Sequence, residues 1–162
     1  MSLIQQEADD LFSMRKVQIR ELSLTFPEDG TKLEIELCSE DKRYTFQADI
    51  NRKGNKFKKL IYQNRTSKIY VLRRLDFIGS PHCNPSVEIE NKLFSKYLNT
   101  DIPCPHIHFY IEGFNDKWAV PLQEIMDIKI NENDDAFTIM EKFFRYCNIE
   151  IPKFKPIGLF TL

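Results

Sequence analysis

Lys32, Glu34 and Glu36 alternate with Leu33, Ile35 and Leu37, and this period of two returns along most of the chain. Successive side chains of a strand point to opposite faces, so such runs build a sheet that buries one face. The pattern predicts strands over Val17 to Phe26, Lys32 to Cys38, Arg43 to Ile50, Phe57 to Tyr62, Ile69 to Phe77, His106 to Glu112 and Trp118 to Leu122. Turn-forming segments separate them: Pro27-Glu28-Asp29-Gly30, Ser39-Glu40-Asp41, Gln63 to Ser67, and Gly113-Phe114-Asn115-Asp116. Short connections of this kind join antiparallel neighbours, as a meander with hairpins.

Two stretches keep helical spacing instead. Ser2 is placed to cap a helix running to about Met14, and Asp134 to Cys147 carries Phe137, Met140, Phe143 and Phe144 on one side. From Ser80 to Pro105 four prolines interrupt any long element, with room for a short helix between Val87 and Leu98. A connection of that length is where function concentrates. The expected class is α+β: a mostly antiparallel sheet with an N-terminal and a C-terminal helix, as a single domain over 1–162. With 42% hydrophobic residues and thirteen Phe, the chain is far from a disordered composition.

The sequence has no apolar run of roughly eighteen residues, and Glu7, Asp9 and Asp10 stand where a secretion signal needs basic and then apolar residues. The expectation is a cytoplasmic protein without membrane association. Cys38, Cys83, Cys104 and Cys147 show no CxxC pairing and are expected as free thiols.

Net charge is −1, yet it is unevenly spread. Arg52, Lys53, Lys56, Lys58, Lys59, Arg65, Lys68, Arg73 and Arg74 fall between Ile50 and Leu75 with no acidic residue among them. This stretch is a candidate polyanion surface, with Arg52, Lys53, Lys56, Lys58, Lys59, Arg65, Lys68 and the later Lys117 as nucleic-acid contacts. A solvated, edge-protecting hairpin is the plainer account of the same charges.

All three histidines, His82, His106 and His108, lie in one prolyl segment. On a strand His106 and His108 share a face, as do Arg74 and Asp76 at the end of an earlier strand, so the set converges if those strands pair. Near neutral pH one imidazole can accept a ribose 2′-OH proton while another donates to the leaving 5′-oxygen. Arg74 or Lys117 would stabilise charge on the phosphate and Asp76 would orient a histidine. The alternative is a zinc site on His82, His106 and His108, with water, Cys83 or Cys104 as fourth ligand. Histidines beside prolines also serve as plain polar caps.

At Arg74-Leu75-Asp76, Pro81-His82, Asn84-Pro85, Pro103 to His108, Glu112-Gly113-Phe114, Asp116 to Ala119 and Pro121-Leu122 the chain resembles an uncharacterised domain family of small bacterial and mobile-element proteins. That resemblance implies no activity. Through Arg74, Asp76, Pro81-His82 and Pro105-His106-Ile107-His108 it is also similar, more distantly, to TumE-like toxins of toxin–antitoxin pairs. This second resemblance implies action on RNA and an antitoxin partner. The leading expectation is therefore a metal-independent, RNA-cleaving protein of the toxin type, without a cofactor. The rival is a non-enzymatic phage or mobile-element inhibitor of the anti-CRISPR kind that binds a host-defence protein.

Overall fold

The computed structural model describes residues 2–156. Helix α1 (Gln5–Ser13) leads into β1 (Lys16–Gln18), β2 (Lys32–Ser39), β3 (Thr45–Asn51), β4 (Leu60–Thr66) and β5 (Tyr70–Ile78). The prolyl segment holds β6 (His82–Cys83), α2 (Lys92–Ser95) and β7 (Asp101–Ile102). The hairpin of β8 (His106–Ile111) and β9 (Asn115–Pro121) and helix α3 (Ala136–Tyr146) follow. A seven-stranded sheet runs in the order β1-β2-β3-β4-β5-β8-β9, antiparallel throughout, and β6 pairs with β7 in a small second sheet. The fold is α+β, a mostly antiparallel sheet with a helix near each end of the chain.

Period-two burial divides the sheet into faces. Tyr62, Leu75, Ile107 and Val120 stand in register across β4, β5, β8 and β9, all fully buried. They belong to the same core as Met140, Phe143 and Phe144 of α3. Tyr62 docks the helix twice: its ring lies 6.1 Å from that of Phe143 and its hydroxyl donates to Ala136 O at 2.5 Å. The Asp135 side chain accepts from Thr138 N and starts α3 where the sequence predicts it. Arg74, His108 and Ala119 are in register on the opposite face, as are Asp76, His106 and Pro121.

Several elements differ from expectation, two of them because a distant partner outweighs the local signal. Ser2 does not cap α1; Gln5 N donates to the Glu112 carboxylate at 2.8 Å, and Glu112 N donates back to the Gln5 side chain. The expected Val17 to Phe26 strand keeps only its first residues, because Leu24 turns away to pair with Phe154. Phe57 lies outside β4 and is 85% exposed. β4 instead runs through the expected Gln63 to Ser67 turn, which shrinks to Ser67 and Lys68, both at positive φ. The helix expected within Val87 to Leu98 is the single turn of α2, capped by the Asn91 side chain.

Candidate functional site

Pairing of β5 with β8 sets Asp76 opposite His106 and Arg74 opposite His108, so two pairs distant in sequence meet on one face. The Arg74 guanidinium is their hub. Its Nε donates to Asp76 Oδ1 at 2.8 Å, Nη1 to Asp116 Oδ2 at 2.7 Å and Nη2 to His108 Nε2 at 2.9 Å. A guanidinium only donates, so Nε2 of His108 accepts; Nδ1–H goes to the Asp116 carbonyl at 2.8 Å, an oxygen that only accepts. The two partners fix His108 as the neutral Nδ1–H tautomer.

His82 comes in from β6. Its Nε2 donates to Lys117 O at 2.7 Å, and its ring stands edge-on to that of His108 at 4.5 Å. Burial lowers the His82 pKa, the Lys117 carbonyl works against this, and the charges of His106 and Arg74 lower it further, so the imidazole is neutral, with Nδ1 unpaired among the described residues. His106 goes the other way: burial opposes its charge, but Asp76 and Cys104 outweigh burial and lift its pKa to about 9. Its Nε2 lies 3.4 Å from Asp76 Oδ2 without hydrogen-bond alignment, and its Nδ1 is 3.7 Å from Cys104 Sγ. Burial raises the Asp76 pKa, but His106 and Arg74 outweigh it and hold the carboxyl well below the usual carboxylate range.

This face is polar, as the alternation predicts, but it is not open. His106 and His108 are fully buried, with Asp76 nearly so, while Arg74, Asp116 and His82 are only partly covered. Asn84 keeps the prolyl segment in place: its side chain accepts from Ala119 N at 2.9 Å and donates to Ala119 O at 2.8 Å along the outer edge of β9. An apolar groove of about 480 Å³ lined by Phe77, Pro105, Leu122 and Met126 lies beside the cluster but includes none of its polar side chains.

The family model described as "Family of unknown function (DUF6978)" matches residues 3–149. The chain belongs to that family. Neither the curated proteins nor the solved structures contain a match to this DUF6978 member.

Of the residues expected at the site of this DUF6978 protein, the fold brings together Arg74, Asp76, His82, His106 and His108. Of the three expected metal ligands, His106 and His108 fall in one group with Asp76, with ligand atoms within 4.8 Å of one another, while His82 Nε2 is bonded to the Lys117 carbonyl. The basic stretch divides. Lys53, Lys56 and Lys58 are exposed around Phe57, Lys59 is partly covered, and Lys117 is exposed on β9. Arg52 is buried with Nη1 donating to Pro27 O, and Arg65 forms a two-pronged ion pair with Asp49 at 2.8 and 2.9 Å; both therefore belong to the framework. Lys68 faces Glu36 at 3.4 Å. Sequence reasoning missed Asp116 and Asn84 as site partners; Cys104, expected as a possible fourth metal ligand, lies against His106 Nδ1. A carboxylate across the tight hairpin from His108 was the one available signal, because hairpin geometry returns the chain to its neighbour.

Proposed function

We propose that this protein cleaves RNA, as a toxin-type enzyme whose centre is His82, His106, Arg74 and Asp76. The convergence of these side chains from β5, β6 and β8 carries the reading, with the His82 and His106 rings 6.1 Å apart. His82 Nδ1 accepts the ribose 2′-OH proton, the 2′-oxygen attacks phosphorus, and His106 protonates the leaving 5′-oxygen, leaving a 2′,3′-cyclic phosphate. Arg74 neutralises the added charge on the phosphoryl oxygens, Asp76 orients His106, and His108 in its fixed tautomer holds Arg74.

The exposed Lys53, Lys56 and Lys58 support the reading by position. Leu60, just after them, pairs with Ile78, so the loop lies at the end of the sheet where Asp76 and His106 stand. The similarity to TumE-like toxins through Arg74, Asp76, Pro81-His82 and Pro105 to His108 points the same way, and implies an antitoxin as protein partner. Burial of His106 and His108 favours the second reading, a non-enzymatic binding protein whose histidine network only stiffens the sheet against a host-defence target.

Purified protein incubated with mixed-sequence RNA in EDTA decides between them. Cleavage to cyclic-phosphate ends that disappears in His82→Ala and in His106→Ala supports the enzyme. Intact RNA with the unaltered protein selects the binding reading.

A further inference from the structure

Asp76 Oδ2, His106 Nε2 and His108 Nε2 converge on one point behind the prolyl segment. Asp76 Oδ2 lies 3.4 Å from His106 Nε2 and 3.6 Å from His108 Nε2. Four ligands at the 2.0–2.1 Å bond lengths of zinc sit about 3.4 Å apart at the corners of a tetrahedron, whereas an octahedral edge is about 2.9 Å. The two separations from Asp76 Oδ2 match the tetrahedral edge, and all three ligand atoms lie within 4.8 Å of one another.

A second observation is independent of these distances. His106 is fully buried, and among the described residues its Nε2 has no hydrogen-bond partner although it points at the same spot. A buried nitrogen without a partner is costly, and this one faces a carboxylate oxygen and a second imidazole nitrogen, the donor types that borderline divalent ions prefer. The outer contacts also suit ligation. His108 Nδ1–H is anchored on the Asp116 carbonyl and His106 Nδ1 faces Cys104 Sγ, so both Nε2 atoms are directed inward.

We infer that Asp76, His106 and His108 bind one divalent transition-metal ion of the zinc type, and that Arg74 takes the ion's place when none is bound. Nη2 of Arg74 is the cationic group at the spot, 2.9 Å from His108 Nε2 and 3.5 Å from Asp76 Oδ2. Entry of an ion costs Arg74 its His108 contact but not its Nη1 bond to Asp116 or its Nε bond to Asp76 Oδ1. Three protein ligands leave the fourth position to water. His82 stays outside the set, its Nε2 held by Lys117 O. This inference stands on the geometry alone; one consequence rests on the RNA reading, that the ion claims the His106 nitrogen needed to protonate the leaving oxygen, so zinc suppresses cleavage.

Titration of the metal-free protein with Co²⁺ in the absence of RNA tests the site. The expected result is one ion per chain with the intense visible absorption of tetrahedral Co²⁺, reversed by EDTA. Arg74→Gln, which removes the competing cation, is expected to bind roughly tenfold more tightly, the equivalent of about 1.4 kcal/mol. No tetrahedral band in either protein overturns the inference. In case ligand variants fail to fold, ¹⁵N signals of the histidine rings in the unaltered protein with Zn²⁺ give a second reading. Shifts at Nε2 of His106 and His108 with His82 unmoved are expected; shifts at His82 or cysteine signals alone overturn the site. A protein that binds Co²⁺ here but leaves RNA intact keeps this site and loses the RNA reading, and one that cleaves RNA without binding Co²⁺ does the reverse.

Discussion

A side chain that only donates decides the protonation of its neighbours, and Arg74 does so for His108 while sharing the Asp76 carboxylate with His106. Removing that carboxylate leaves the buried His106 without its counter-ion and Arg74 with Asp116 alone. Asp76→Asn is therefore expected to destabilise the fold by about 3 kcal/mol, read by urea unfolding at pH 7. The pH sign follows from the depressed Asp76 pKa: its contribution is complete above the unfolded value near 3.9 and fades as pH falls below it. The gap between the two proteins should therefore narrow below pH 4. At this scale the sequence shows Arg74 and Asp76, His106 and His108, because period two puts each pair on one face. It hides the division of the basic run. Nothing local marks Arg65 as the partner of Asp49, a strand away, or Arg52 as a buried donor to Pro27.

Elements end where distant groups take over their backbone. Lys16 is the clearest case: its buried ammonium donates to Phe12 O and Met14 O at the end of α1 and to Cys147 O at the end of α3, joining two helix C-termini. Burial, eased by Cys147 and reinforced by Arg73, lowers its pKa to about 8. A folded pKa below the unfolded value near 10.4 means the native state sheds its proton first, so stability rises between pH 8 and 9.5. Thermal unfolding should show that rise in the parent protein and a flatter profile in Lys16→Met. Asn84 acts as a strand reduced to one amide, and Asn84→Ala should cost about 2 kcal/mol and speed hydrogen exchange at Ala119 N. The strands β2, β3, β5 and β8 are legible to within a few residues, since each is a short run rich in apolar residues bounded by turn-forming ones. The 19–26 segment is not, since its partner near Phe154 lies at the other end of the chain.

Over the whole molecule, the exposed lysines around Phe57 and the Arg74 network share one end of the sheet, and the proposed RNA cleavage requires the polyanion to approach from that side. Replacing Lys53, Lys56 and Lys58 by Glu should weaken single-stranded RNA binding and reduce the slope of log affinity against log salt by about two, at roughly 0.7 per phosphate contact. Filter binding at several salt concentrations measures it; an unchanged slope places the RNA elsewhere. The arrangement at β9 has another consequence. His82 occupies Lys117 O, Asn84 takes both backbone groups of Ala119, and Pro121 has no N–H, while at the opposite border Asn148 and Glu150 occupy both backbone groups of Lys16. No free run of backbone donors and acceptors is left at these positions to template a neighbour's strand. Copies or partners that gather here must recognise one another through side chains, and the histidine that faces the candidate site also helps keep the sheet from growing into a fibre.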